Sequence, residues 1–400
     1  MAFKQTYPLQ KKYHSPDFLR QIPHLRLRTP YHSHVARFRS ECIWHLTNFF
    51  RNFCHDNNFI QVHPPLITSS DCEGAGEVFT ISPHDAAPDT GHFFREPRYL
   101  TVSSQLHLEA YAAELGSVWA LSPTFRAERS DTPRHLSEFY MLEAEMNFVN
   151  NLGEVTKLVE DMIRHLVGKM QANIAALNML RGHVRDAGNY MPDAKDTDYV
   201  LDRRWQPLVD KQWIHITYTD AIKELEKAPG HFSFKQPPAW PNGLQLEHEK
   251  ALLTILGNDS IPVFVTDYPK HLKPFYMAPS APESQGMAGK TVANFDLLLP
   301  EICEVVGGSL REHRLETLIE NMRTANLVKK IKHYSEEKYP YLAPDESLGP
   351  LQWYADLRRW GTAPHGGFGL GFDRLIAYLA GMSSLRDVVA FPRYHRRCDC

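Results

Sequence analysis

The chain has 400 residues, 43% hydrophobic and 23% charged, with a formal net charge of −3, a composition able to bury a substantial core. Its length corresponds to two or three domains of about 150 residues, or to one large α/β domain. No apolar run reaches the ~18 residues needed to cross a membrane, and the near-neutral charge excludes a global basic field, so any nucleic acid must be held by a local patch.

The first 14 residues contain three lysines and no apolar stretch, which argues against a secretory signal and leaves a mitochondrial presequence as the alternative to a cytoplasmic chain. Residues 33–55 are predicted to be helical, with Val35, Phe38, Cys42, Leu46, Phe49 and Phe53 spaced at three or four. "FIQVHPPLITSS" (59–70) reads as a short strand interrupted by Pro64-Pro65. "DCEGAGEVFTI" (71–81) reads as a loop carrying acids. In 98–115 an extended start gives way to a helix capped by Ser103-Ser104.

The next stretch predicts a hairpin. Along "SVWALSPTFRAE" the apolar Trp119, Leu121, Phe125 and Ala127 alternate with Ser122, Thr124, Arg126 and Glu128. On the return strand Tyr140, Leu142, Ala144, Met146 and Phe148 form an apolar face, and Phe139, Glu143 and Glu145 the other. Arg126, Glu128 and Phe139 are therefore expected to face one cavity.

A helix from about Gly153 to Leu177 carries the core stripe Val155, Leu158, Val159, Met162, Leu166, Met170 and Ile174. Residues 229–243, rich in Pro and Gly, read as an insertion or long loop. Segments 261–269 and 291–309 read as strands and 311–327 as a helix. Finally, 365–382 reads as a Gly-rich strand running into a helix near Asp373. Antiparallel strands interleaved with helices indicate an α+β fold. Cys42, Cys54, Cys72, Cys303, Cys398 and Cys400 show neither zinc-type pairing nor compact disulfide spacing, so reduced thiols and a cytoplasmic setting are expected.

Four groups converge on one kind of ligand. Arg126, Arg134 and His135 in the hairpin suit phosphate oxygens. The glycines of 366–371 permit close backbone approach and lead into a helix bearing Arg374. Asp296 and Glu304, eight positions apart in strand-like sequence, are expected to share a face and suit Mg²⁺. Phe139 is placed to stack on a base. Singly, these features are commonly a solvated face, an ion pair or tight packing. Jointly they describe a nucleoside triphosphate site without a P-loop.

The same residues resemble class II aminoacyl-tRNA synthetases of the aspartyl/asparaginyl branch. Motif 1 of that family is similar to the 33–55 helix with "VHPPLI", motif 2 to "FRAERSDTPRHLSEF" and motif 3 to "GFGLGFDRL". The similarity runs from about Ser15 to Pro392. The resemblance implies an antiparallel catalytic sheet flanked by helices (31–400, after an N-terminal segment 1–30), a homodimer through motif 1, and ATP and Mg²⁺ as substrate and metal.

It also implies roles. Arg126 would hold the ATP α-phosphate and the reacting carboxylate, Glu128 the adenine side, and Phe139 the ring. His135 and Arg374, beside Arg134, would hold the outer phosphates, and Asp296 and Glu304 the metal. Glu73 and Gln105 would receive the amino acid's α-ammonium, and Arg311 its side-chain oxygen. Aspartate enzymes read "SPQLYKQ" where this chain reads "SSQLHLE" (103–109), so Leu108 stands in place of a lysine that neutralises aspartate. "EGAGEVF", "EFYMLEAE" and "FDLLLPEI" resemble the asparaginyl group, with Glu77 accepting from an amide. Asparagine is the expected amino acid.

Only 14 residues precede the segment that resembles the run-in to motif 1, so the family's N-terminal anticodon-binding barrel is not expected here. Arg129, Asp131 and Pro133 depart from the family's motif 2 loop, and Leu310 stands where asparaginyl enzymes usually have Gln. These departures favour transfer to a non-tRNA acceptor such as a small-molecule amine. A truncated asparaginyl-tRNA ligase, an asparagine synthetase-like enzyme and a non-catalytic regulatory paralogue are the alternatives.

Overall fold

The computed structural model describes residues 7–53, 59–69, 77–83, 92–173, 175–178, 180, 197–228, 232–281, 289–331 and 338–400. Glu73, Cys54, Cys72, Ile174 and residues 229–231 lie outside them.

Helices α1 (Pro16–Gln21), α2 (Pro23–Arg26) and α3 (Pro30–Asn48) each open on proline, which fits a first turn whose N–H groups lack intrahelical acceptors. Thr29 accepts from the His32 N–H, so α3 starts earlier than its apolar spacing predicts. A π-helical turn, Phe49–Phe53, follows it. The chain continues through β1 (Ile60–Gln61), β2 (Ile67–Thr68), β3 (Tyr99–Leu100), α4 (Gln105–Leu115), β4 (Ser117–Phe125), β5 (Glu138–Asn147), α5 (Leu152–Ala172) and α6 (Thr197–Asp210). Then come β6 (Ile214–Thr217), α7 (Tyr218–Glu226), α8 (Leu246–Gly257), β7 (Val263–Thr266), β8 (Asn294–Leu299), β9 (Cys303–Leu310), α9 (Leu315–Thr324), β10 (Lys329–Lys330), β11 (Glu346–Ser347), α10 (Gln352–Arg359), β12 (His365–Gly371) and α11 (Phe372–Leu379).

Eight strands form one sheet in the order β1-β4-β5-β12-β9-β8-β7-β6. The outer pairs β1–β4 and β6–β7 are parallel; the inner pairings are antiparallel. This is the expected α+β architecture. One face of the central strands packs Leu142, Ala144, Leu297, Val306 and Leu370 against the apolar stripe of α5, forming the main core. The other face is open over β5, β12, β9 and β8, and there the polar side chains collect.

Three local readings change. Tyr140 and Phe148 leave the predicted apolar face of β5, at 39% and 77% exposed. The Tyr140 ring lies under Arg39, and Phe148 has left-handed backbone (φ 63°) that ends the strand. The helix predicted from residue 311 starts at Leu315 instead. Arg311 stays extended because its N–H donates to the His365 carbonyl across the sheet, and sheet pairing outweighs local helical preference. Leu310 joins the main core rather than either cavity described below, so its departure from the family pattern does not reshape the pocket by direct contact.

Candidate active site

The register explains how the open face becomes a site. Gly367 on β12 lies between Glu145 on β5 and Ser309 on β9, and Gly369 between Glu143 and Gly307. Gly307 in turn faces Asp296 on β8. Glycines thus form a floor between two walls of acidic side chains. At Gly367 an added Cβ would meet Glu145 Oε2 at 2.1 Å and the Ala144 carbonyl at 2.2 Å. That glycine is required by close packing, a role different from the ligand approach expected of the whole run.

One cavity, about 130 Å³, is lined by Arg126, Glu128, Arg134, His135, Phe139 and Arg374. All six residues expected at the nucleotide therefore meet. The Arg126 guanidinium lies over the Phe139 ring at 5.7 Å, and its Nη1 is 3.8 Å from Glu128. Arg134 donates to the Ile302 carbonyl (2.6 Å) and Arg374 to the Glu304 carbonyl (3.0 Å), tying hairpin and helix to the β8–β9 turn. Burial, reinforced by the charges of Arg374, Arg134 and Arg126 against the opposing pull of Glu128, lowers the His135 pKa. The 129–135 loop docks through Asp131 on Arg386 (2.6 Å) and the Pro133 carbonyl on the Leu385 N–H (2.9 Å).

A second cavity, about 590 Å³, shares Arg126, Met141, Glu304 and Gly369 with the first and is further lined by Gln105, Leu108, Asp296 and Arg311. Arg311 is nearly enclosed: Nη2 donates to Glu145 (2.9 Å) and Nη1 to Ser309 Oγ (2.7 Å). Glu143 accepts from the Ser104 N–H (2.9 Å) and from the Ser103 hydroxyl. A carboxylate on β5 thereby completes the N-terminus of α4, where a negative charge is favourable. The expected serine cap is only partly realised: Ser103 Oγ accepts from the Gln105 N–H, while Ser104 Oγ pairs with Ser122.

Asp296 and Glu304 do converge, though not as neighbours along one strand. They lie on the two arms of a hairpin whose register slips between Leu297 and Leu298. The slip brings Glu304 onto the face of Gly307, whose added Cβ would lie 3.5 Å from Asp296 Oδ1 and 3.6 Å from Glu304 Oε1. Two hard oxygen donors across a glycine suit Mg²⁺. Lys273 Nζ is 2.9 Å from Asp296.

A third carboxylate, Glu249 on α8, accepts from the Glu304 N–H (3.4 Å). Burial, then the charges of Glu304 and Asp296, push its pKa up to about 7. A carboxyl raised from 4.5 holds a proton when folded that the unfolded chain has shed. Its stabilising contribution is full below the unfolded value and lost as pH rises through about 7. A bound cation favours the ionised form instead. Calorimetric Mg²⁺ titrations with ATP are therefore expected to show affinity rising from pH 6 to 8, by at most about tenfold per unit, and Glu249→Gln to flatten that rise.

Glu77 is not brought into the site. Its carbonyl accepts from the Ala127 N–H (2.8 Å), which holds the backbone beside the hairpin, but its side chain is exposed and lines neither cavity. Sequence reasoning assigned no role to Glu109, Glu143, Glu145, Glu249, Lys273, Arg358 or His365. The signal for two of them was present in β5, where Glu143 and Glu145 alternate with apolar residues and are nonetheless buried.

A family model described as tRNA synthetases class II (D, K and N) matches residues 15–395. The mitochondrial asparagine--tRNA ligase of Saccharomyces cerevisiae is 42% identical over 393 residues, covering 97% of this chain and 74% of that protein. The asparagine--tRNA ligase of Desulfotalea psychrophila is 41% identical over 392 residues, covering 98% and 76%. Among solved structures, asparaginyl-tRNA synthetase from Pyrococcus horikoshii complexed with asparaginyl-adenylate aligns with a TM-score of 0.73 at 28% identity, covering 96% of this chain and 74% of that one.

Proposed function

Because the chain belongs to the class II tRNA synthetase family (D, K and N), a family of AMP-forming ligases that use ATP and Mg²⁺, we propose that it activates asparagine and charges tRNA with it. The observation that carries this reading is the pair of adjoining cavities that share Arg126 and Glu304. One holds the residues expected at ATP, the other Gln105 and Arg311 from those expected at the amino acid.

In the proposed reaction an oxygen of the asparagine α-carboxylate attacks the α-phosphorus in line, the bond to the β-phosphate oxygen breaks, and pyrophosphate leaves. That step needs alignment and charge stabilisation more than a general acid or base. Arg126 would grip the reacting oxygens, Phe139 stack on the adenine, Glu128 face its amino edge, and Arg134, His135 and Arg374 hold the outer phosphates. Gln105 and Glu73 would take the α-ammonium, and Arg311 the amide oxygen; Glu77 would reach the amide only by moving from its exposed position. Mg²⁺ supplies charge neutralisation on the phosphates, and Asp296 and Glu304 would hold it.

For the acceptor, the relatives, which are asparagine--tRNA ligases, favour tRNA, and no observation favours the small-molecule amine expected from the sequence. The chain spans about three-quarters of those relatives' length. Two of the relatives are mitochondrial enzymes, so the comparisons lend no support to the cytoplasmic setting expected from the cysteines. No helix among the described residues is long and apolar enough to cross a membrane.

The test is ATP–pyrophosphate exchange with each of the twenty amino acids, followed by aminoacylation of total tRNA. Exchange with asparagine and acid-precipitable charged tRNA are expected. No exchange with asparagine would sink the reading; exchange without charging would return the acceptor to a small amine. Arg374→Ala is expected to reduce exchange by about 10²-fold or more while leaving the far-ultraviolet circular dichroism unchanged.

A further inference from the structure

Glu109 on α4 is one helical turn beyond Gln105 and only 2% exposed, yet it touches no ligand-facing space itself. Its Oε1 accepts from Gln105 Nε2 at 3.1 Å and lies 3.9 Å from Arg311 Nε. Its Oε2 accepts from the Tyr354 hydroxyl (2.7 Å) and from Arg358 (2.6 Å), and lies 3.1 Å from His365 Nε2. Arg358 is anchored in turn by the Glu312 carbonyl (3.0 Å), and His365 Nδ1 by the Ala363 carbonyl (2.8 Å). The carboxylate is therefore braced from behind by α10 and β12, while its front oxygen addresses two residues that line the larger cavity.

Glu109, Glu145 and His365 offer ligand atoms within 4.8 Å of one another. Arg311 and Arg358 already bond into the group, so its charge is met by guanidinium and not by a metal ion. Arg358, His365 and Arg311 together hold the Glu109 carboxyl below the usual carboxylate range, against the opposing effect of burial. On the cavity side Arg311 faces two acids, Glu145 at 2.9 Å and Glu109 at 3.9 Å. Leu108, beside them, adds no positive charge.

We infer that Glu109 is a positioning and specificity-determining residue: it holds Gln105 and Arg311 in mutual register and, with Glu145, offsets the Arg311 charge so that the pocket takes a neutral side-chain amide over a carboxylate. A substrate carboxylate meeting this guanidinium finds its charge already compensated by Glu145 and Glu109, while Arg358 is taken up by the far oxygen of Glu109, so no spare cation offsets the carboxylate's desolvation. An amide oxygen accepts from the same guanidinium N–H groups without needing one. The inference rests on the proposed activation of asparagine and names what would enforce it.

The experiment compares wild type, Glu109→Gln and Glu109→Asp in pyrophosphate exchange with asparagine and with aspartate. Glu109→Gln removes the charge and keeps the shape, so the asparagine-to-aspartate ratio of kcat/KM is expected to fall at least about tenfold. Glu109→Asp keeps the charge and withdraws it by one methylene, so KM for asparagine is expected to rise about tenfold with kcat changed far less and discrimination kept. A folded Gln variant with the wild-type ratio and wild-type KM overturns the inference. Should that variant fail to fold because Arg358 has lost its partner, the Asp variant decides: a raised KM supports the inference and an unchanged KM overturns it. Absence of asparagine exchange in the wild type overturns the functional reading itself. That result differs from wild-type exchange that is indifferent to Glu109.

Discussion

Arg126→Ala is expected to lower amino-acid-dependent pyrophosphate exchange about 10³-fold, in the range seen when a single preorganised charge donor at a reacting centre is removed. Arg126 borders both cavities and rests on Phe139. It thus stands where carboxylate and phosphate oxygens would approach each other. The side chain is 31% exposed, so its removal is expected to leave the melting temperature within a few degrees. Arg126→Lys keeps a charge without the planar fork and is expected to lose about 10²-fold. Exchange within tenfold of wild type in the alanine variant would reject the assignment of Arg126 to the reacting oxygens.

Gly367→Ala is expected to cost about 3 kcal/mol or more, read as a shift in the urea midpoint. Its Cβ would lie 2.2 Å from the Ala144 carbonyl, an atom that cannot move without breaking the β5–β12 pairing. It would also displace the Glu145 carboxylate, and with it the buried partner of Arg311. Breaking such a pair leaves an uncompensated charge in the interior. Gly371 is the control: the nearest atoms to its Cβ would be those of the flexible Arg374 stem, at 3.5 Å and beyond. Gly371→Ala is therefore expected to stay within about 1 kcal/mol of wild type. Equal stabilities for the two variants would show that the glycines serve a common purpose after all.

These two glycines mark the limit of reading the sequence. The run 366–371 is visible as a Gly-rich strand before a helix, and β12 begins at His365 and α11 at Phe372, within a residue of that reading, although α11 ends at Leu379 and not at 382. Which glycine faces Glu145 and which faces a ligand depends on register with β5 and β9, strands more than fifty positions away in sequence. Arg311 makes the same point. Its local sequence favours a helix, and a hydrogen bond to the His365 carbonyl on one side with a β-bridge to Met277 on the other keeps it extended and in the cavity wall.

The sequence by itself determined the fold class, the hairpin carrying Arg126, Glu128 and Phe139, and the grouping of these residues with Arg134, His135 and Arg374 around one cavity. Strand alternation and chemically distinctive side chains report those features locally. Only the tertiary structure decided how Glu109, Arg358 and His365 gather behind Arg311, and how a slipped register sets Glu304 beside Asp296. Burial turns exposed-looking charges into a fixed electrostatic frame. It arises from packing between elements far apart in the chain, which no local pattern encodes.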